Sequence, residues 1–116
     1  MRKEGSAISV TFINCFEVAP EADADFLATW RTVNAYMIRQ PGYLAHALHR
    51  ALGDDARYRF VNVVRWSNAE EFEAAHDEGF RALVTPDYPY RFVPALFEVI
   101  DTSAVVSGGA DARLPQ

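Results

Sequence analysis

Two side-chain amides stand where apolar residues belong. Asn62 interrupts "FVNVVRW" (60–66) amid Phe60, Val61, Val63 and Val64, and Asn14 interrupts "VTFINCF" (10–16) amid Phe12, Ile13 and Phe16. Val or Thr would suit a buried strand better. A desolvated amide without a hydrogen-bond partner costs about 1–3 kcal/mol. A backbone contact at a bulge would account for one such residue. Two on matching strands, with Trp66 on the face of Asn62, point instead to a polar site inside an apolar cavity. Trp66 alone would read as packing. His76 shares a helical side with Phe72 and Phe80 at four-residue spacing. It is placed to edge the cavity as a hydrogen-bond donor or base, with core-edge packing as the competing reading. Phe12, Phe60, Trp30, Met37, Phe72 and Phe80 would supply the apolar lining.

Other chemistries lack their residues. There is no HExxH, CxxC, P-loop or GxGxxG, so zinc, nucleotide and dinucleotide chemistry have no support. His46 and His49 are three apart on a strand and face opposite ways, a poor metal pair. Cys15, the one cysteine, excludes an internal disulfide and reads as a small buried hydrophobe. Ser67 reads as a helix cap, which leaves no Ser/His/Asp arrangement. Glu70, Glu71, Glu73, Asp77 and Glu78 read as a solvated helix face. Tyr36, Tyr43 and Tyr58 are available to a pocket, but periodicity singles out none of them.

The bulk numbers agree with one small soluble domain. The chain has 116 residues, half of them apolar and 13% aromatic, with a net charge of −5. Nucleic acid is an unsuitable partner, because neutralising phosphates needs clustered Lys and Arg. "MRKEGSAISV" has no long apolar region of a signal peptide, and no apolar run reaches membrane-spanning length. A cytoplasmic protein, away from membranes, is the expectation.

These side chains need elements to hold them. Residues 7–18 read as a strand rich in β-branched and aromatic residues. Pro20 and the acids Glu21, Asp23 and Asp25 suit a helix start, and Phe26, Trp30, Val33 and Met37 form its apolar stripe until Pro41-Gly42. Strands over 43–52 and 57–66 flank a "GDD" turn as a hairpin. Ser67 with Glu70 reads as the capping box of a second helix carrying Phe72, Ala75, His76, Gly79, Phe80 and Leu83. "TPDYPY" (85–90) is a turn-rich connection. Residues 91–101 form a last strand, which Pro94 consigns to an edge or a bulge. Residues 1–6 are expected to be a flexible start and 102–116 a loose tail. The order βαβ-βαβ predicts an α+β, ferredoxin-like split βαβ domain over 7–101, an antiparallel sheet with two helices on one face.

Counting faces adds a second expectation. Phe60, Asn62, Val64 and Trp66 point one way, and Val61, Val63 and Arg65 the other. Val10, Phe12, Asn14 and Phe16 oppose Thr11, Ile13 and Cys15 in the same manner. Both faces are largely apolar, and the two helices cover only one. A second copy is the simplest cover, so a homodimer joined sheet to sheet is expected.

"VTFINCFEV", "RQPGYL", "YRFVNVVRWSNAEEF" and "PALFEVI" resemble the antibiotic biosynthesis monooxygenase family of small dimeric α/β barrels, in order and spacing from about residue 8 to residue 101. The Pro-Gly after the first helix and the N-x-x-x-W of the third strand are the more specific parts. The likeness is greatest to cofactor-independent anthrone oxygenases of aromatic polyketide pathways, which use O₂ without metal or flavin. That resemblance implies catalytic roles for Asn14, Asn62 and Trp66, a small aromatic polyketide substrate, and no cofactor. It also implies a mechanism in which amide N–H groups hold the enolate of the substrate while its carbanion reduces O₂. Some members carry a Tyr on helix two and an Arg near its end, where this chain has Phe72 and no Arg in "TPDYPY" before Arg91. A haem-degrading branch uses a Trp and a His where this chain has Ala75 and Thr85, which speaks against haem. The same amides would serve an isomerase or cyclase acting through an enolate, and the same cavity a ligand-binding dimer without turnover.

Overall fold

The computed structural model describes residues 9–103; the expectations for residues 1–6 and for 104–116 of the tail lie outside them. Four strands, β1 (Val10–Glu17), β2 (Tyr43–Arg50), β3 (Phe60–Trp66) and β4 (Arg91–Phe97), form one antiparallel sheet in the order β2-β3-β1-β4. Helix α1 (Asp23–Met37) follows a 3₁₀ turn at Pro20–Ala22. Helices α2 (Ala69–Ala75) and α3 (Glu78–Leu83) connect β3 to β4. This is the ferredoxin-like arrangement, with β1 and β3 at its centre. Among the described residues each strand is shorter than the segment expected to form it. Pro94 falls on β4, which pairs only with β1 among the described residues and is therefore an edge.

The second helix is not continuous, and its cap is not the expected one. Asn68, not Ser67, caps α2, its side chain accepting the Glu71 N–H at 2.8 Å. Ser67 instead donates its hydroxyl to the Glu71 carboxylate. Ser67–Glu70 and Asn68–Glu71 both satisfy the capping-box spacing, and β3 runs to Trp66, which settles the choice one residue later. The helical path then breaks at His76. Asp77 starts α3 by accepting the Phe80 N–H at 3.0 Å, and it also accepts the Tyr36 hydroxyl at 2.6 Å. Asp77 and Glu71 are thus structural acceptors rather than part of a solvated face. Gly79 permits the α1–α3 approach, since a Cβ there would collide with the Tyr36 hydroxyl and ring.

Burial follows the alternation. Phe60, Asn62, Val64 and Trp66 are buried on β3, while Val61 and Val63 are half-covered and Arg65 exposed. On α1 the stripe buries Phe26 completely and Met37 nearly so. The core falls into two clusters. One joins Phe16, Val18, Phe26 and Phe60; the other joins Met37, Val64, Trp66 and Ala75.

A buried ion pair ties the first cluster's end of the sheet to α1. Arg59 is only 8% exposed, and it donates to Asp23 at 2.7 and 3.0 Å and to Asp54 at 2.9 Å. Its partners are 36 and five residues away, so no local spacing marks the pair in the sequence. The Arg59 guanidinium holds the Asp23 carboxyl below its ordinary range, against the opposing effect of burial. A depressed folded-state pKa contributes stability that is present above the ordinary value and lost as pH falls through the folded one. Asp23→Asn is therefore expected to lower the melting temperature by several degrees at pH 7. The gap to wild type should begin to narrow near about pH 4, where Asp23 of the unfolded chain takes up its proton, and close as pH falls through the lowered folded-state value. A gap independent of pH, in thermal melts from pH 7 to 3, would refute the assignment.

Candidate functional site

Asn14 and Asn62 are direct cross-strand partners. Successive rungs on the helix side of the β1–β3 ladder are Phe16–Phe60, Asn14–Asn62, Phe12–Val64 and Val10–Trp66. The amide rung lies between a rung that feeds the first core cluster and rungs that feed the second. A cavity occupies the space above it. Its deeper chamber, about 90 Å³, is walled by both amides, Trp30, Asn34, Met37, Tyr43, Val64 and Trp66 among others. It shares Phe12, Asn14, Phe72, His76, Phe80, Val84, Tyr88 and Phe92 with an outer chamber of about 570 Å³ that opens past Arg81, Thr85, Pro86 and Pro94. The outer volume is in the range of a drug-sized ligand.

Among the described residues, Asn14 Oδ1, Asn62 Oδ1 and Trp66 Nε1 are buried without a hydrogen-bond partner within the protein. All three residues line the same chamber. Each orphaned polar atom costs about 1–3 kcal/mol. A half-turn of either amide exchanges its carbonyl for its NH₂, so the rung can offer donors or acceptors to a guest. Trp66 adds a fixed N–H, held by edge contacts with Tyr43 (5.1 Å between ring centres) and Phe72 (5.7 Å). The arrangement can bind a carbonyl or enolate oxygen inside an otherwise aromatic wall.

His76 sits at the junction of the chambers. The break after α2 turns its ring so that Nδ1 lies 2.7 Å from the Phe72 carbonyl. That oxygen only accepts, so Nδ1 carries the proton, and neutral His76 keeps its lone pair on Nε2. Phe72 at 4.3 Å and Phe80 at 4.5 Å flank the ring, with Phe12 at 6.3 Å. With Nδ1 engaged, Nε2 is the ring atom left to face a bound ligand.

The cavity gathers Asn14, Asn62, Trp66, Phe12, Phe72, His76, Phe80, Trp30 and Met37. Phe60 is placed elsewhere: one rung below the amides, it stacks on Phe26 at 4.5 Å inside the first cluster and does not line the cavity. Sequence reasoning missed Asn34, Tyr88 and Arg81 as lining residues, and of the three tyrosines available to a pocket the structure places Tyr43 on the wall. Asn34 follows Trp30 by four and precedes Met37 by three, so helical spacing alone would have found it. Among the described residues, Arg81 is the only charged residue lining either chamber, four residues before "TPDYPY". Burial pushes the hydroxyls of Tyr43 and Tyr88 up to about 12, so both stay protonated at neutral pH. Among the described residues, no three His, Cys, Asp or Glu side chains are grouped as a metal-ligand set. No described helix is long and apolar enough to cross a membrane.

Known proteins carry the same framework. A deoxynogalonate monooxygenase of Streptomyces nogalater is 32% identical over 90 residues, which cover 71% of this chain and 74% of that protein. The solved structure of SnoaB, a cofactor-independent oxygenase from Streptomyces nogalater, superposes with a TM-score of 0.72 at 31% identity, covering 83% of this chain and 97% of SnoaB. A candidate monooxygenase from Shewanella loihica gives 0.73 at 30% identity, covering 82% and 97%. Residues 9–85, from the start of β1 to the end of the helical segment over the cavity, match the family described as antibiotic biosynthesis monooxygenase, and the chain belongs to that family.

Proposed function

We propose that the protein is a cofactor-independent monooxygenase that oxidises an anthrone-like or polycyclic phenolic polyketide intermediate with O₂. The observation that carries this reading is the set of three unpaired polar atoms on Asn14, Asn62 and Trp66 within one aromatic-walled cavity. A flat aromatic ketone fits such walls. Its ring CH₂ is acidic because the resulting carbanion is delocalised onto oxygen. His76 Nε2 takes the proton, and an amide N–H of the rung with the indole N–H receives the enolate oxygen. The carbanion passes one electron to O₂, and the radical pair joins to a peroxide anion. Protonation and loss of water then convert CH₂ to C=O, with both hydrogens leaving in the water. Phe72, in place of a Tyr, leaves proton handling to other groups. The kinship to a deoxynogalonate monooxygenase supports a polycyclic substrate.

In an oxygen electrode, purified protein is expected to consume O₂ with dithranol in the presence of a chelator. Asn62→Ala is expected to lower kcat/KM by about 10²-fold or more, and Trp66→Phe is expected to lower it as well, with circular dichroism unchanged. Turnover that survives the chelator and is unaffected in both variants would overturn the site assignment. Product formation without O₂ uptake would point to an isomerase or cyclase instead.

The reading includes a homodimer. Ile13, Cys15, Val61 and Val63 continue through the register into Val93, Ala95 and Phe97 on the face away from the helices. Val93 and Phe97 are about half exposed. This apolar surface supports pairing of two sheets. Sedimentation is expected to give a dimer for wild type and a monomer for Val63→Glu; a monomeric wild type at micromolar concentration would count against it.

A further inference from the structure

The deep end of the cavity carries a hydrogen-bonded chain that the mechanism above leaves unused. Tyr43 opens β2 and lies on the chamber wall against Trp66. Its hydroxyl is 2.9 Å from Asn34 Oδ1, which shares that wall, and 2.8 Å from His46 Nδ1. His46 itself is exposed, its ring held edge-on against Trp30 at 5.4 Å. One hydroxyl therefore touches both the chamber wall and a titratable ring in water.

A phenol owns a single proton, which restricts the chain to two arrangements. In the first, Tyr43 donates to the Asn34 carbonyl and His46 Nδ1–H donates to Tyr43. In the second, Tyr43 donates to a bare His46 Nδ1 and accepts from the turned Asn34 amide. Delivering one proton to an acceptor in the chamber carries the chain from the first to the second. Uptake of one proton from water by the exposed imidazole restores the first. A tyrosine protonated throughout the neutral range suits a donor and not a base.

We infer that Tyr43 is the proton donor to oxygen in this site and that His46 recharges it from solvent, a role that rests on the oxygenase reading above. The step is a transfer without change of oxidation state. The Tyr43 O–H bond breaks as a lone pair on the terminal oxygen of the substrate peroxide anion forms a new O–H bond. The Nδ1–H bond of doubly protonated His46 breaks as the Tyr43 O–H bond re-forms, which leaves a neutral imidazole with its proton on Nε2, and that imidazole then takes one proton from water to return to the doubly protonated ring. Tyr43 is the catalytic residue of the pair. His46 acts through it. The division of labour places the base, His76, and the donor, Tyr43, at different parts of the wall, so neither has to reverse its role within a single step.

Tyr43→Phe removes one oxygen and keeps the ring packing. It is expected to lower kcat with dithranol by about 10²-fold while KM stays within about 2-fold. His46→Ala is expected to lower kcat comparably, and added imidazole should restore most of the loss in His46→Ala and none in Tyr43→Phe. An unchanged kcat in His46→Ala, or a loss that imidazole does not repair, would overturn the proposal. Exchange of the Tyr43 hydroxyl proton with water, followed by NMR, reads the chain without turnover and should slow in His46→Ala. Exchange at the wild-type rate in that variant overturns the link to solvent, even if wild type consumes O₂. Absence of O₂ uptake by wild type, with exchange slowed in His46→Ala, removes the oxygen acceptor and overturns the oxygenase reading instead.

Discussion

The cross-strand pair Asn14–Asn62 is the constraint around which the domain is arranged. A rung of two amides in the middle of a sheet cannot be packed over with apolar side chains without leaving its oxygens and NH₂ groups unmatched. The core accordingly divides, with Phe16 and Phe60 joining Phe26 on one side of the rung and Phe12 and Val64 leading to Met37 and Trp66 on the other. The cavity is the space that this division leaves. A Val rung would remove the amide groups that this cavity offers to a guest. The departure from local strand preference is placed where a site would need it.

Two other features shape that space. The break between α2 and α3 gives up continuous backbone hydrogen bonds, and Asp77 offsets the loss by capping α3 and accepting the Tyr36 hydroxyl. In return, His76 occupies a position where its tautomer is set by the Phe72 carbonyl and its flanks are aromatic. At the other end of the sheet, Arg59 clamps Asp23 in the first turn of α1. That clamp and the stacking of Phe60 on Phe26 hold α1 over β3 without entering the cavity. Trp30, Asn34 and Met37, further along the same helix, are thereby delivered to the wall.

The candidate site is built from weak groups. Its polar complement among the described residues consists of three amides, two indoles, one imidazole, two phenols, a threonine hydroxyl and a guanidinium at the outer chamber. None of these is a strong base or nucleophile in water. Within an aromatic-walled cavity, a hydrogen bond to a developing charge counts for more than it would in bulk solvent. Such a set suits a substrate whose own conjugation supplies the acidity and the reducing electrons. Membership of the antibiotic biosynthesis monooxygenase family and the 31% identity to a cofactor-independent oxygenase agree with that chemistry.

The sequence by itself determined which side chains share a face. Period-two alternation put Asn14, Asn62 and Trp66 on one side of the sheet, four-residue spacing aligned Phe72, His76 and Phe80, and the element order was enough for the ferredoxin-like topology. These are properties of single elements, carried by local geometry that each chain segment states on its own. Tertiary structure decided what depended on partners distant in sequence. Register made the two amides directly opposite and put Phe60 under Phe26 instead of in the cavity. The end of β3 chose Asn68 over Ser67 as the cap, and the Tyr36–Asp77 bond accompanied the split of the second helix. The turn at Gly42, with φ of 91°, set the start of β2 so that Tyr43 reached Asn34 and His46 together. A polar residue on an apolar stripe looks like a flaw until its partner is placed, and the partner is chosen by packing, which no local period encodes.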